Sequence, residues 1–245
     1  NFAKKNNLSI LADEVYQENI YREGLKFYSF AKVAFDTGIN DVPLFSFHSM
    51  SKGYLGECGH RAGYFELRNI QQDVLEQFIK LQSISLCSNV IGQIATYLMV
   101  SPPKNGDESY ELYIKERDGI LKELKAKAEI LGKGLNAVNG MTCDIPQGAM
   151  YAFVKFELPH KPGVDPSKLN EEERLKYEAE RDNRYCMKLL EETGICVVPG
   201  SGFGQLPNTL HFRTTFLPPR DEIETLVDKM KEFHINYVNN RENFN

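Results

Sequence analysis

A lysine sits between two serines and ahead of a glycine-rich stretch, in Ser49-Met50-Ser51-Lys52-Gly53-Tyr54-Leu55-Gly56, directly after an apolar run that reads as a buried strand. The end of such a strand is where α/β proteins place ligands. A lysine partly desolvated there has a lowered pKa, and its free amine can attack a carbonyl carbon. The Ser49 and Ser51 hydroxyls and the guanidinium of Arg61 suit a phosphate, the arginine through a two-pronged contact. A second constellation, Ala12-Asp13-Glu14-Val15-Tyr16, puts a carboxylate at the end of another apolar run. An unpaired charge there is costly, so Asp13 needs a partner such as a protonated ring nitrogen. Tyr16, three residues on, has a phenol that can donate to a neighbouring oxyanion. In the third, Leu210, Phe212, Thr214 and Phe216 fall on one face of a strand and His211, Arg213 and Thr215 on the other. Arg213 on the polar face can clamp a carboxylate. Each group also has a plain structural reading: a solvated loop for Lys52, a cap or surface acid for Asp13, an internal ion pair for Arg213. Taken singly, the residues leave both readings open.

The elements that must hold these residues are legible from periodicity and punctuation. The opening residues 1–7 read as the end of a helix running into a turn, and residues 8–15, 43–48 and 61–67 as strands, the last at a sheet edge. Ile70, Val74, Leu75, Phe78 and Leu81 recur at helical spacing. A further apolar helix is expected from a cap at Ser88 to Pro102-Pro103. Residues 108–138 form a long charged helix with a stripe through Tyr113, Ile120, Leu121, Leu124, Ala128, Leu131, Leu135 and Val138, and a domain boundary is expected inside it. Beyond it come strands over 141–145 and 150–156. A charge-dense helix follows, with Pro166 at its first position and Gly194 at its end. Short strands over 195–198 and 210–216 come next, then a last amphipathic helix through Leu226, Met230 and Phe233. Gly200-Ser201-Gly202-Phe203-Gly204 mimics a dinucleotide turn, but Pro207 and a strand follow where that fold needs a helix, so it reads as a turn or lid.

Composition narrows the classes. The 245 residues carry 29 Lys+Arg against 34 Asp+Glu, a net charge of −5, which argues against a nucleic-acid footprint. No apolar run reaches the roughly 20 residues of a membrane span. The five cysteines are widely spaced with no CxxC, as in a reducing compartment, and no HExxH or phosphate-loop motif occurs, so no metal site is expected. The missing initial Met and the helix-end character of residues 1–7 suggest a chain that begins inside a larger protein.

The three constellations, in this order and at these separations, resemble the pyridoxal-phosphate-dependent aminotransferases of fold type I. SMSKGYLGECGHRAGY is similar to the alanine aminotransferase branch of that family, supported by ADEVYQENIY, VVPGSGFGQ and HFRTTFLPP. The resemblance covers essentially the whole chain. It implies an α/β fold: the C-terminal part of the large-domain sheet with the Schiff-base lysine over residues 1–118, and the small α+β C-terminal domain over residues 119–245. It implies that Lys52 binds pyridoxal 5′-phosphate and moves the proton of the 1,3-shift, that Asp13 pairs with the pyridine nitrogen, and that Tyr16 contacts the ring oxygen. Ser49 and Arg61, with Ser51 behind them, would hold the phosphate, and Arg213 the substrate α-carboxylate. The implied reaction is amino transfer between L-alanine and 2-oxoglutarate, giving pyruvate and L-glutamate. The implied partners are small amino acids and 2-oxo acids, without nucleic acid or membrane, in a cytoplasmic or mitochondrial homodimer of the full-length parent. Glutamate–glyoxylate and aromatic or kynurenine aminotransferases share much of the signature, and a non-catalytic interaction module is the alternative outside the enzymes. Complete family members carry an N-terminal half, with more of the sheet and of the phosphate shell, that has no counterpart here. The resemblance therefore implies weak cofactor binding and little turnover by this chain alone.

Overall fold

The computed structural model describes residues 1–244, apart from the side chain of residue 241, and divides into two compact units, Asn1–Leu121 and Lys122–Asn245.

In the first unit a short helix α1 (Phe2–Lys5) leads into strand β1 (Ile10–Asp13). The strand is shorter than its apolar run, because the chain turns immediately after Asp13. Helix α2 (Phe30–Thr37) connects it to β2 (Leu44–Ser49), and β3 (Gly63–Arg68) follows. Helix α2 escaped the periodicity reading, although its ends are marked. Ser29 Oγ accepts the Lys32 N–H at 3.1 Å, Gly38 closes it at φ 68°, and Glu14 Oε1 accepts the Phe30 N–H at 2.8 Å from beside the strand end. The sheet order is β1-β2-β3, with β1 parallel and β3 antiparallel to β2. Among the described residues, neither outer edge of this sheet has a further strand on it.

Helix α3 (Gln72–Ile84) and α4 (Val90–Val100) come next. The cap of α4 is Asn89 rather than Ser88: its Oδ1 accepts the Gly92 N–H, while its amide donates to His60 O at 3.0 Å. A Cβ on Gly92 would lie 2.8 Å from the Ala62 Cβ and 2.9 Å from His60 O. Only glycine lets α4 seat this closely on the turn that carries Arg61. Helix α5 (Tyr110–Asn136) runs on into the second unit's residues. The fully buried apolar residues of the first unit are few, namely Ala12, Tyr21, Val42, Leu44 and Met50, while Leu11, Ile84, Leu86, Val90 and Ile91 are each at least two-thirds exposed.

The second unit is an antiparallel sheet in the order β4-β5-β7-β6, packed on helices. Its strands are β4 (Met141–Cys143), β5 (Tyr151–Phe156), β6 (Val198–Pro199) and β7 (Leu210–Thr215), with helices α6 (Glu171–Thr193) and α7 (Arg220–Asn239). Asp165-Pro166 opens only a single 3-10 turn. The helix proper starts after Asn170, whose side chain and that of Glu173 cap each other's backbone. Strand β7 alternates as its residue pattern predicts, with Leu210, Phe212 and Thr214 buried and His211, Arg213 and Thr215 half-buried. Tyr185 on α6 is the hub of the core: its ring meets Phe156, Phe212, Phe233, His234 and Tyr237 at centroid distances of 4.3–6.3 Å. Its hydroxyl lies 3.0 Å from His234 Nδ1.

Burial lowers the pKa of His234 below its ordinary 6.5. The unfolded chain therefore binds the proton more readily than the folded one. This histidine's contribution to stability is whole above pH 6.5 and is lost as the pH falls below that value toward the depressed one. Urea midpoints measured at pH 7.5 and 5.5 are expected to fall toward the lower pH, and His234→Gln is expected to shrink that fall.

Candidate functional site

Asp13 is the last residue of β1 and Ser49 the last of β2, so both stand at the carboxyl end of the parallel pair. Lys52 follows three residues beyond Ser49. In the parallel register Asp13 lies opposite Phe47, which places Asp13, Phe47 and Ser49 on one face and His48 on the other. The Asp13 carboxylate is exposed, accepts the Val15 N–H at 3.3 Å, and has no cationic partner among the described residues. Ser49 Oγ accepts the Ser51 N–H at 3.1 Å, which folds the chain back toward Lys52. Tyr16 is half-buried in the turn after β1, its carbonyl accepting the Asn19 N–H at 3.0 Å. Gly63 pairs with Ser49, and a Cβ there would collide with the His48 carbonyl.

Lys52 is exposed rather than desolvated, because the turn that carries it projects beyond the strand. It lines a cavity of about 300 Å³ together with Asn19, His48, Tyr54, Tyr113 and Arg117. This wall was not read from the sequence. The Tyr54 and Tyr113 hydroxyls are 3.1 Å apart, and burial, with that hydrogen bond, holds the Tyr54 proton far above the ordinary phenol range. The Arg117 guanidinium lies 5.7 Å from the Tyr113 ring centre. Asn19 Oδ1 and His48 Nδ1 are buried without hydrogen-bond partners. Arg61 has a left-handed backbone at φ 51° and donates from Nη1 to Cys58 O at 3.1 Å. It lines a separate, more open cavity of about 540 Å³ with Ser88, Asn89, Thr96 and Tyr97. The first unit thus gathers Asp13, Ser49, Ser51 and Lys52 at one end of the sheet, but does not enclose them with Arg61 around one cavity.

In the second unit, Arg213 projects from the outer face of β7 and packs on two rings, its Cζ 4.8 Å from the Tyr151 centre and 4.7 Å from that of Phe203. Among the described residues no carboxylate pairs with it. The internal ion pair that the sequence left open is therefore not formed, and the edge of the guanidinium remains available. His211, beside it, stacks on Phe153 at 4.7 Å. Phe203 belongs to a 3-10 turn, Gly200–Phe203, that follows β6 directly.

Residues 1–230 match the profile described as "Aminotransferase class I and II". The chain belongs to that family. Members of the class I and II aminotransferases depend on pyridoxal 5′-phosphate and share fold type I, a mixed α/β architecture. The chain is 48% identical over 243 residues to mitochondrial alanine aminotransferase 2 of Arabidopsis thaliana, covering 97% of this chain and 43% of that protein. It is 44% identical over 240 residues to alanine aminotransferase 1 of Homo sapiens, covering 97% and 47%. A solved alanine aminotransferase from Pyrococcus furiosus superposes with a TM-score of 0.74 at 25% identity, covering 96% of this chain and 51% of that one. An aminotransferase structure from Escherichia coli has a TM-score of 0.72 at 24% identity, which speaks for the fold alone. The chain spans about half the length of the relatives it matches.

The residues present match what the cofactor of this aminotransferase family requires in type. An aldehyde needs an accessible primary amine, which Lys52 presents. A pyridine nitrogen needs a carboxylate not already neutralised, which Asp13 presents. A phosphate needs hydroxyls and a guanidinium, which Ser49, Ser51 and Arg61 present. Lys52, Asp13, Ser49 and Ser51 fit by type and by their place at the strand ends; Arg61 fits by type but lines the separate cavity.

Proposed function

We propose that this chain carries the lysine-bearing half of an alanine aminotransferase, exchanging the amino group between L-alanine and 2-oxoglutarate to give pyruvate and L-glutamate. The observation that carries the reading is the placement of Lys52 just beyond the carboxyl end of a parallel strand pair whose other strand ends in an unpaired Asp13. The names of the relatives at 44–48% identity support alanine as the amino donor; 2-oxoglutarate as the acceptor is part of the proposal.

On this reading pyridoxal 5′-phosphate supplies an electron sink for the carbanion formed at the substrate Cα. Lys52 Nζ would hold the cofactor through its aldehyde carbon and, as a free amine, would serve as the base for the proton on the substrate Cα. Asp13 holds the proton on the pyridine nitrogen. Tyr16 donates its phenol proton to the ring oxygen, and Ser49, Ser51 and Arg61 bind the phosphate. Arg213 grips the α-carboxylate by two parallel N–H···O contacts. Residues 1–118 belong to the large cofactor-binding domain and residues 119–245 are the small domain of a homodimeric parent. Cytoplasmic or mitochondrial residence is part of the same reading; the Arabidopsis and Dictyostelium relatives are named mitochondrial.

Incubation with pyridoxal phosphate, borohydride reduction and peptide mass spectrometry test it. A single adduct on Lys52, competed by L-alanine and abolished in Lys52→Ala, is expected. Labelling scattered over many lysines and indifferent to alanine would defeat the reading for this chain.

A further inference from the structure

Asp182 on α6 is fully buried, yet no cation pairs with it among the described residues. A buried carboxylate in that state must be held by neutral donors. Apart from a long contact of 3.4 Å from Asn183 Nδ2, all its side-chain hydrogen bonds come from one turn. The Ser201 N–H donates to Oδ2 at 2.7 Å, the Ser201 hydroxyl to Oδ1 at 3.1 Å and Gln205 Nε2 to Oδ2 at 3.0 Å. Burial pushes the Asp182 carboxyl up and the donors of the turn oppose that rise. One helical turn earlier, the buried Glu178 accepts the Asn208 N–H, so α6 holds this segment at both ends.

The same segment is clasped to β7. Gln205 Oε1 lies 3.0 Å from His211 Nδ1, so one amide bridges the helix carboxylate and the strand histidine. A Cβ on Gly200 would lie 2.6 Å from the His211 Cβ and 2.7 Å from His211 O. Between the anchored Ser201 and Gln205 stands Phe203. The Arg213 Cζ lies over its ring at 4.7 Å, and the ring meets Phe153 edge-on at 5.7 Å.

We infer that Asp182 is a positioning residue for Arg213: by anchoring Ser201 and Gln205 it sets Phe203 on the guanidinium, which also packs on Tyr151. Held against these two rings, Arg213 offers its N–H edge to a planar carboxylate in the guanidinium plane. The step from Asp182 to carboxylate selection rests on the reading of Arg213 as the substrate clamp.

The test uses the 245-residue chain, labelled with 15N, and follows the Arg213 Nε–Hε signal, assigned by its disappearance in Arg213→Lys. Two flanking rings displace this signal from the position of an exposed arginine. In Asp182→Asn, which keeps the shape and removes the charge, the signal is expected to return toward that position. Acetate and L-alanine are expected to bind at Arg213 about threefold more weakly, the loss of one cation–ring contact. Phe203→Ala, at an exposed tip, is expected to move the signal in the same direction. A folded Asp182→Asn with the signal unmoved overturns the inference. If circular dichroism shows that Asp182→Asn does not fold, the double variant Ser201→Ala, Gln205→Ala decides by the same criterion. If the signal responds to Asp182→Asn but acetate and L-alanine leave it unmoved in the unsubstituted chain, the positioning stands and the clamp reading falls.

Discussion

The 245-residue chain, assayed alone with L-alanine and 2-oxoglutarate, is expected to produce pyruvate about a thousandfold more slowly than a complete relative such as alanine aminotransferase 1 of Homo sapiens. Removing one preorganised charge-stabilising contact from an active site costs about 100- to 1000-fold in rate. Here Asp13 and Lys52 are both exposed, so their fields are screened by water. Arg61 lines a different cavity from Lys52. The β1 edge is bare among the described residues, and the Asp13 carboxylate is held by the Val15 N–H without a cationic partner. A coupled pyruvate assay reads the rate. Turnover within tenfold of the relative would show that the arrangement in this chain suffices. The complementary expectation is that mixing in the N-terminal half of a relative raises the rate, because it supplies strands to the open edge.

Tyr185→Ala is expected to cost about 3–5 kcal/mol, enough to unfold much of the second unit at ambient temperature. The ring is fully buried among five others, and its removal also leaves His234 Nδ1 without its hydroxyl partner. Tyr185→Phe keeps the ring and loses only the hydrogen bond, so it is expected to cost about 1 kcal/mol. Urea titration followed by near-ultraviolet circular dichroism separates the two. Equal losses for Ala and Phe would mean that the hydroxyl, not the ring, holds this core.

What the residues disclosed in advance follows the range over which each signal acts. Alternation along residues 210–216 and the later part of the helical stripe, Leu124, Ala128, Leu131 and Leu135, report burial directly, and the β7 and α5 faces follow them, whereas Ile120 in the same stripe is exposed. Caps are decided by which side chain reaches a backbone N–H. Ser88 and Asn89 are both competent, and the contact of Asn89 with His60 O settles the choice through a segment 29 residues away. Helix α2 is short and carries no buried residue, so no stripe announces it; only Ser29 and Gly38 mark its ends. At the candidate site, the strand-end placement of Asp13, Ser49 and Lys52 was legible because motif and strand coincide. The cavity wall was not: Tyr54 meets Tyr113 across 59 residues, and neither position carries a local mark of that meeting. Asp182 was equally hidden, one acid among many on α6, singled out only by a turn that folds back onto it.

The bare outer edge of β1 also governs how the chain behaves in company. A strand with unpaired N–H and C=O groups is a template for another strand, and natural sheets blunt such edges with charge or proline. Here the edge carries Leu11, 71% exposed, and at the other side of the sheet α4, packed on β3, offers Val90, Ile91 and Ile94 to solvent. A net charge of −5 spread over 245 residues gives modest repulsion between copies. Self-association is therefore expected to start from the first unit, whose exposed apolar residues sit beside an unpaired strand, rather than from the closed aromatic core of the second.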